Sequence, residues 1–125
     1  MTVVTVHGCR DRKAITYVGG RHHQLRSAIK QTLDAAGFWA ADTLRFPGVN
    51  PKNICNRTRS RMGVQLEISL GMHKLLFEDV ARRLRHRTTP LFSAYVQALQ
   101  QGLNRCHPSG RPWERNGRPR SFPAG

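Results

Sequence analysis

Acidic residues are scarce in this sequence. Seven Asp and Glu stand against 21 Lys and Arg, a formal charge of +14 with a pI near 11.5. Such a balance excludes an acidic surface and argues for a polyanionic partner. Nucleic acid is the default candidate for a charge of this sign, although an acidic polymer or a membrane surface fits it equally well. Part of the excess follows Asn104, where five Arg meet one Glu, so it does not all belong to the folded part. Cysteine is also sparse. Cys9, Cys55 and Cys106 are odd in number and widely spaced, which excludes a disulfide framework and a CxxC metal site. A reduced, cytoplasmic environment is the simplest expectation. No stretch approaches the ~20 apolar residues of a membrane span, and the N-terminus lacks the basic n-region of a signal peptide. Aromatics make up 7% of the chain, and Trp39 and Trp113 form no stacking platform of the kind that binds single strands.

A chain of 125 residues is at most one domain. Thr2 to Val6 is short and β-branched and reads as a buried strand, with His7-Gly8 at its C-terminal end, where open α/β sheets hold ligands. Arg10 to Lys13 is a charged loop. Ala14 to Val18 reads as a second strand closed by Gly19-Gly20. From His22 to Ala36 the spacing of Leu25, Ile29 and Leu33 predicts a helix, stopped by Gly37. His22 and His23 are adjacent, so they point about 100° apart on a helix; they read as exposed rather than as a metal pair. Phe38 to Leu44 is expected to be a short strand, and Arg45 to Asn56 is a loop punctuated by Pro and Gly. Val64 to Ser69 is a strand. After Leu70-Gly71 a helix is expected through Met72 to Phe77 and Val80 to Leu84. Thr89 and Pro90 open a last helix as N-cap and N1, running to about Leu103. Residues 1–104 form the folded part. Residues 105–125 are rich in Pro, Gly and Arg without periodicity and read as a flexible basic tail, in which Cys106-His107 is incidental. Strands alternating with helices give an α/β fold with a mixed, largely parallel sheet flanked by helices.

The stretch richest in chemistry is Asn53 to Ser69. Alternation sends Val64, Leu66 and Ile68 to one face of the strand and Gln65, Glu67 and Ser69 to the other. A carboxylate between Leu and Ile is costly to bury without a partner. Two readings stay open. Glu67 is a solvated carboxylate on a half-exposed strand, or it is a catalytic carboxylate facing a cleft, with Asn56 and Arg57 nearby to hold an anionic substrate. Arg59 and Arg61 either extend that anion-binding surface or belong to a solvated loop. A small buried thiol accounts for Cys55.

Strand-His-Gly, then YVGG, a helix ending Ala-Ala-Gly-Phe, NICNR, GVQLEIS and a final FxxYVxAL helix together resemble the poly-γ-glutamate hydrolase family. Those proteins are similar in fold to the zinc carboxypeptidases. The resemblance covers about Val3 to Leu103, and NICNR with GVQLEIS at this spacing is its most specific part. It implies zinc-dependent hydrolysis of γ-glutamyl amide bonds. It matches His7 to the metal-ligating His that closes a later strand, Glu67 to the general base, and Asn56-Arg57 to the pair that holds a substrate carboxylate. A guanidinium fork suits a carboxylate, and every residue of poly-γ-glutamate presents one.

The family's other two zinc ligands are spaced H-x-x-E, and no H-x-x-E occurs in this sequence. The expectation is therefore a fold incomplete at its N-terminus, from a truncated gene product or one completed by a partner chain that supplies the missing strands. Its zinc site would be incomplete and inactive in this chain alone. The partners expected are a polyanionic substrate, poly-γ-glutamate, and non-specific nucleic acid, with no membrane. The competing reading is a non-enzymatic basic protein that binds nucleic acid or another polyanion.

Overall fold

A computed structural model of the chain describes residues 2–78 and 87–106. Strand β1 spans Val4–Cys9, β2 Ile15–Gly19, helix α1 His23–Ala35 and β3 Trp39–Ala41. A 3₁₀ turn, Ile54–Asn56, precedes β4, Val64–Ser69, which runs directly into α2, Leu70–Leu76. Helix α3 spans Pro90–Arg105.

The strands form one sheet in the order β1-β4-β2-β3. β1 and β4 are parallel, as are β2 and β3, and the two pairs join through the antiparallel β4–β2 ladder. This is the mixed, largely parallel α/β sheet expected from the alternation of elements. Ladder partners share a face. Val6, Leu66 and Val18 therefore lie on one side, while His7, Glu67 and Tyr17 lie on the other.

The helices cover the first side. Leu25, Ile29 and Leu33 of α1, Met72 and Leu76 of α2, and Tyr95 and Ala98 of α3 share one core with Val18, Leu66 and Ile68. Burying each large apolar side chain contributes about 1.5–3 kcal/mol. Helix α3 lies close on α1 at Gly102, where an added Cβ would stand 2.9 Å from Ile29 Cα. Tyr95 reaches the sheet itself, sharing a 2.7 Å hydrogen bond with Thr16.

The segment between β3 and β4 covers the second side. Gly19 approaches it so closely that a Cβ would meet Phe46 O at 2.5 Å. Gly20 N–H donates to Pro47 O at 2.9 Å, and Tyr17 packs against Phe46.

Several sequence expectations are corrected. β1 is not a buried strand of Thr2 to Val6. It begins at Val4 and continues to Cys9, because pairing with β4 persists to Ser69. His7 thus lies within the strand, not beyond its end. Val6 is 61% exposed, since among the described residues β1 is paired only along its β4 edge. β3 is limited to three residues. Its exit is held by Asp42, which ion-pairs Arg26 and Lys30 of α1 at 2.7 and 2.8 Å. Helix α2 stops at Leu76, where Phe77 turns extended and bridges Thr88. The helix expected over Val80 to Leu84 lies outside the described residues, as does the tail beyond Cys106.

Candidate functional site

Register brings three side chains into one row on the loop-covered face. His7 stands opposite Glu67 across the parallel pair, and Tyr17 stands opposite Glu67 on the antiparallel side. Glu67 is 8% exposed, so the solvated-strand reading of this residue does not hold. Burial raises its pKa above the ordinary 4.5, and the charge of nearby His7 partly offsets that rise. A carboxylate so placed resists ionisation yet keeps one favourable partner. His7 itself is exposed.

Tyr17 is a member of this row that the sequence did not reveal. Its hydroxyl donates to Asp11, which also accepts from Arg45. The Arg45 guanidinium lies 4.9 Å from the Phe46 ring centroid and 5.6 Å from that of Tyr17. The hydrogen bond from Tyr17, then that from Arg45, holds the Asp11 carboxyl below its ordinary range. This cluster ties the β1–β2 loop to the segment over the sheet.

The Asn56-Arg57 pair divides into two unlike residues. Asn56 is 2% exposed. Its amide donates to Gly48 O at 2.6 Å and Asn50 O at 3.0 Å, and its carbonyl accepts from Gly63 N–H at 3.1 Å. With both ends engaged by backbone, Asn56 holds the loop and presents no amide to a ligand. Arg57, at the C-cap of the 3₁₀ turn, is exposed. Gly63 allows the close approach, because a Cβ there would fall 1.8 Å from Cys55 O. Cys55 is fully buried beneath this contact, and its burial raises the thiol pKa.

Beside the row lies an open cleft of about 630 Å³, lined by Arg45 to Pro51, Asn53 and Gln65. Gln65 joins it to Glu67, donating to Glu67 Oε1 at 3.3 Å while accepting from Asn53 Nδ2 at 2.6 Å. Sequence alternation placed Gln65 on the face of Glu67; the bond to Asn53 depends on how the loop folds back. At the start of α1, His22 is the N-cap, its Nδ1 accepting from Leu25 N–H at 3.1 Å. Its ring caps the helix.

Among the described residues no three of His, Cys, Asp and Glu come together to hold a metal ion. A catalytic zinc takes three protein ligands, so these residues alone do not fit one. Also among the described residues, no helix is long and apolar enough to cross a membrane.

A family model described as poly-gamma-glutamate hydrolase matches residues 1–98. The SPbeta prophage-derived UPF0714 protein YoqZ of Bacillus subtilis (strain 168) is 30% identical over 105 residues, 81% of this chain and 38% of YoqZ. The UPF0714 protein YmaC of the same organism is 31% identical over 107 residues, 82% of this chain and 46% of YmaC. The chain thus spans less than half the length of these relatives. In structure it is similar to a bacteriophage poly-gamma-glutamate hydrolase, with a TM-score of 0.78 and 35% identity, covering 82% of this chain and 51% of that one. It is also similar to YndL in an apo, zinc-free form, with a TM-score of 0.75 and 25% identity, covering 82% and 52%.

Proposed function

The chain belongs to the poly-gamma-glutamate hydrolase family, and on that premise we propose that it carries the general base and the substrate anchor for hydrolysis of γ-glutamyl amide bonds. The observation that carries this reading is the pairing of buried Glu67 with His7 on the loop-covered face. In the reaction, a water oxygen adds to the amide carbonyl carbon as Glu67 takes the water's proton. On collapse the C–N bond breaks and the proton passes to the leaving nitrogen. Desolvation brings the Glu67 pKa closer to the working range of such a base. Arg57 pairs with a substrate carboxylate. Asn56 acts one step back, by fixing the turn that presents Arg57.

His7 has the chemistry of a metal ligand. The zinc-free description of YndL supports a family role for that ion. At least one further ligand would have to come from outside the described residues, so no step above runs through the metal.

Affinity for oligo-γ-glutamate at physiological salt tests the reading. Arg57→Ala should weaken binding by tenfold or more, the scale of a lost charge-assisted hydrogen bond. Arg87→Ala, an equal loss of charge elsewhere, should leave binding nearly unchanged. Equal losses from both would mean that only bulk charge is read. That outcome would favour the second reading, a basic polyanion binder, which rests on the net charge of +14. DNA affinity falling steeply with salt would then accompany it.

A further inference from the structure

The hydrogen bonds that tie Glu67 to the loop have a single direction. Cys55 N–H donates to Asn53 Oδ1 at 3.2 Å, Asn53 Nδ2 donates to Gln65 Oε1 at 2.6 Å, and Gln65 Nε2 donates to Glu67 Oε1 at 3.3 Å. A backbone N–H only donates. It therefore holds the Asn53 carbonyl toward Cys55 and leaves the Asn53 amide to face Gln65. That amide occupies the Gln65 carbonyl, so the Gln65 amide must face the carboxylate. The direction of two otherwise reversible side chains is set by one backbone group.

The end of this relay is buried. Gln65 and Glu67 are each 8% exposed, so water competes little for the last bond, and the carboxylate charge strengthens it. Asn53 is also the N-cap of the 3₁₀ turn whose C-cap is Arg57. One set of contacts therefore joins the turn bearing the guanidinium to the strand bearing the carboxylate.

We propose that Gln65 is the positioning residue for Glu67, with Asn53 setting its direction, so that Oε1 is held by an amide and Oε2 is left to accept the proton of the attacking water. The inference rests on the reading of Glu67 as general base. It extends that reading to two residues that touch neither substrate nor metal. Gln65 acts on the base, and Asn53 acts on Gln65.

The test is the side-chain amide region of the NMR spectrum of the full 125-residue chain. In the unmodified protein the Gln65 amide protons should exchange slowly and show contacts to Glu67. Glu67→Gln keeps the shape and removes the charge. It should shift the Gln65 side-chain nitrogen and speed exchange about tenfold, the difference between a charge-assisted and a neutral hydrogen bond. Asn53→Asp keeps the shape and removes the donor. With a carboxylate at each end, the Gln65 amide loses its fixed direction, and its contact to Glu67 should weaken. A Gln65 that merely packs beside Glu67 without bonding it would respond to neither change of charge. Gln65 protons exchanging at the free-solvent rate in the unmodified protein would overturn the proposal, as would a Gln65 signal indifferent to both substitutions. These outcomes are read without substrate, so they are separable from failure of the Arg57 binding test.

Discussion

His7 and Glu67 face each other as register partners across the parallel β1–β4 pair, one exposed and the other buried. The imidazole lies on the open side of the row, and the carboxylate lies beneath the segment that follows β3. The pairing places a group with ligand chemistry beside a desolvated carboxylate and leaves both on the face of the proposed site.

Asn56 and Arg57 should separate cleanly in experiment. Asn56→Ala removes three hydrogen bonds, two of them buried and one partly buried, and leaves backbone groups unpaired, at a cost of about 3 kcal/mol. Arg57→Ala touches an exposed side chain and should change stability by less than about 0.5 kcal/mol, while losing substrate affinity. Denaturant unfolding of the two variants checks this. Comparable destabilisation by both would contradict the division of roles.

Glu67 should make the protein less stable as pH rises. Burial raises its folded pKa above the ordinary 4.5, so the native state holds the proton more tightly than the unfolded chain. Stability falls through the window between the ordinary and the raised value and is flat above it. Every tenfold by which folding tightens proton binding costs about 1.4 kcal/mol of stability once the group is ionised. Glu67→Gln lacks this dependence. Relative to the unmodified protein, its stability should therefore improve from pH 4 to pH 7. An advantage that stayed constant over that range would show that Glu67 is not desolvated.

Gly63 should tolerate no side chain. An Ala Cβ would stand 1.8 Å from Cys55 O and 2.8 Å from Val3 O, and neither backbone atom can swing aside as a flexible side chain would. Gly63→Ala should cost about 2–3 kcal/mol, at the upper end for overpacking. Hydrogen exchange should show the Cys55–Gly63 turn opening before the helices. A variant as stable as the original would mean that the turn is not seated against β4.

Much of this was legible in the sequence because it is local. Strict alternation marked Val64 to Ser69 with the bounds β4 has, and Thr89-Pro90 fixed the start of α3. The nomination of Glu67 needed only the oddity of an acid between Leu and Ile. Asn56 was read as a substrate contact from its place beside Arg57; its bonds to the Gly48 and Asn50 carbonyls depend on where the loop folds back, which composition does not say. β1 was read two residues too early at its start and three too early at its end. Gly8 has weak strand propensity, and it and Cys9 are held extended by pairing with Ile68 and Ser69. Tyr17 joined the row through an antiparallel register that depends on β4 entering between β1 and β2, a tertiary fact. The direction of the Asn53–Gln65–Glu67 relay likewise depends on where Cys55 N–H points.

The proposed function brings one substrate to Arg57 and Glu67, beside His7. Titration of the isotopically labelled chain with oligo-γ-glutamate, followed by NMR, tests it most directly. Resonances of the His7 ring, the Glu67 side chain and the Arg57 guanidinium should move together along a single binding curve. Shifts spread over exposed arginines, with His7 and Glu67 unmoved at saturation, would contradict it.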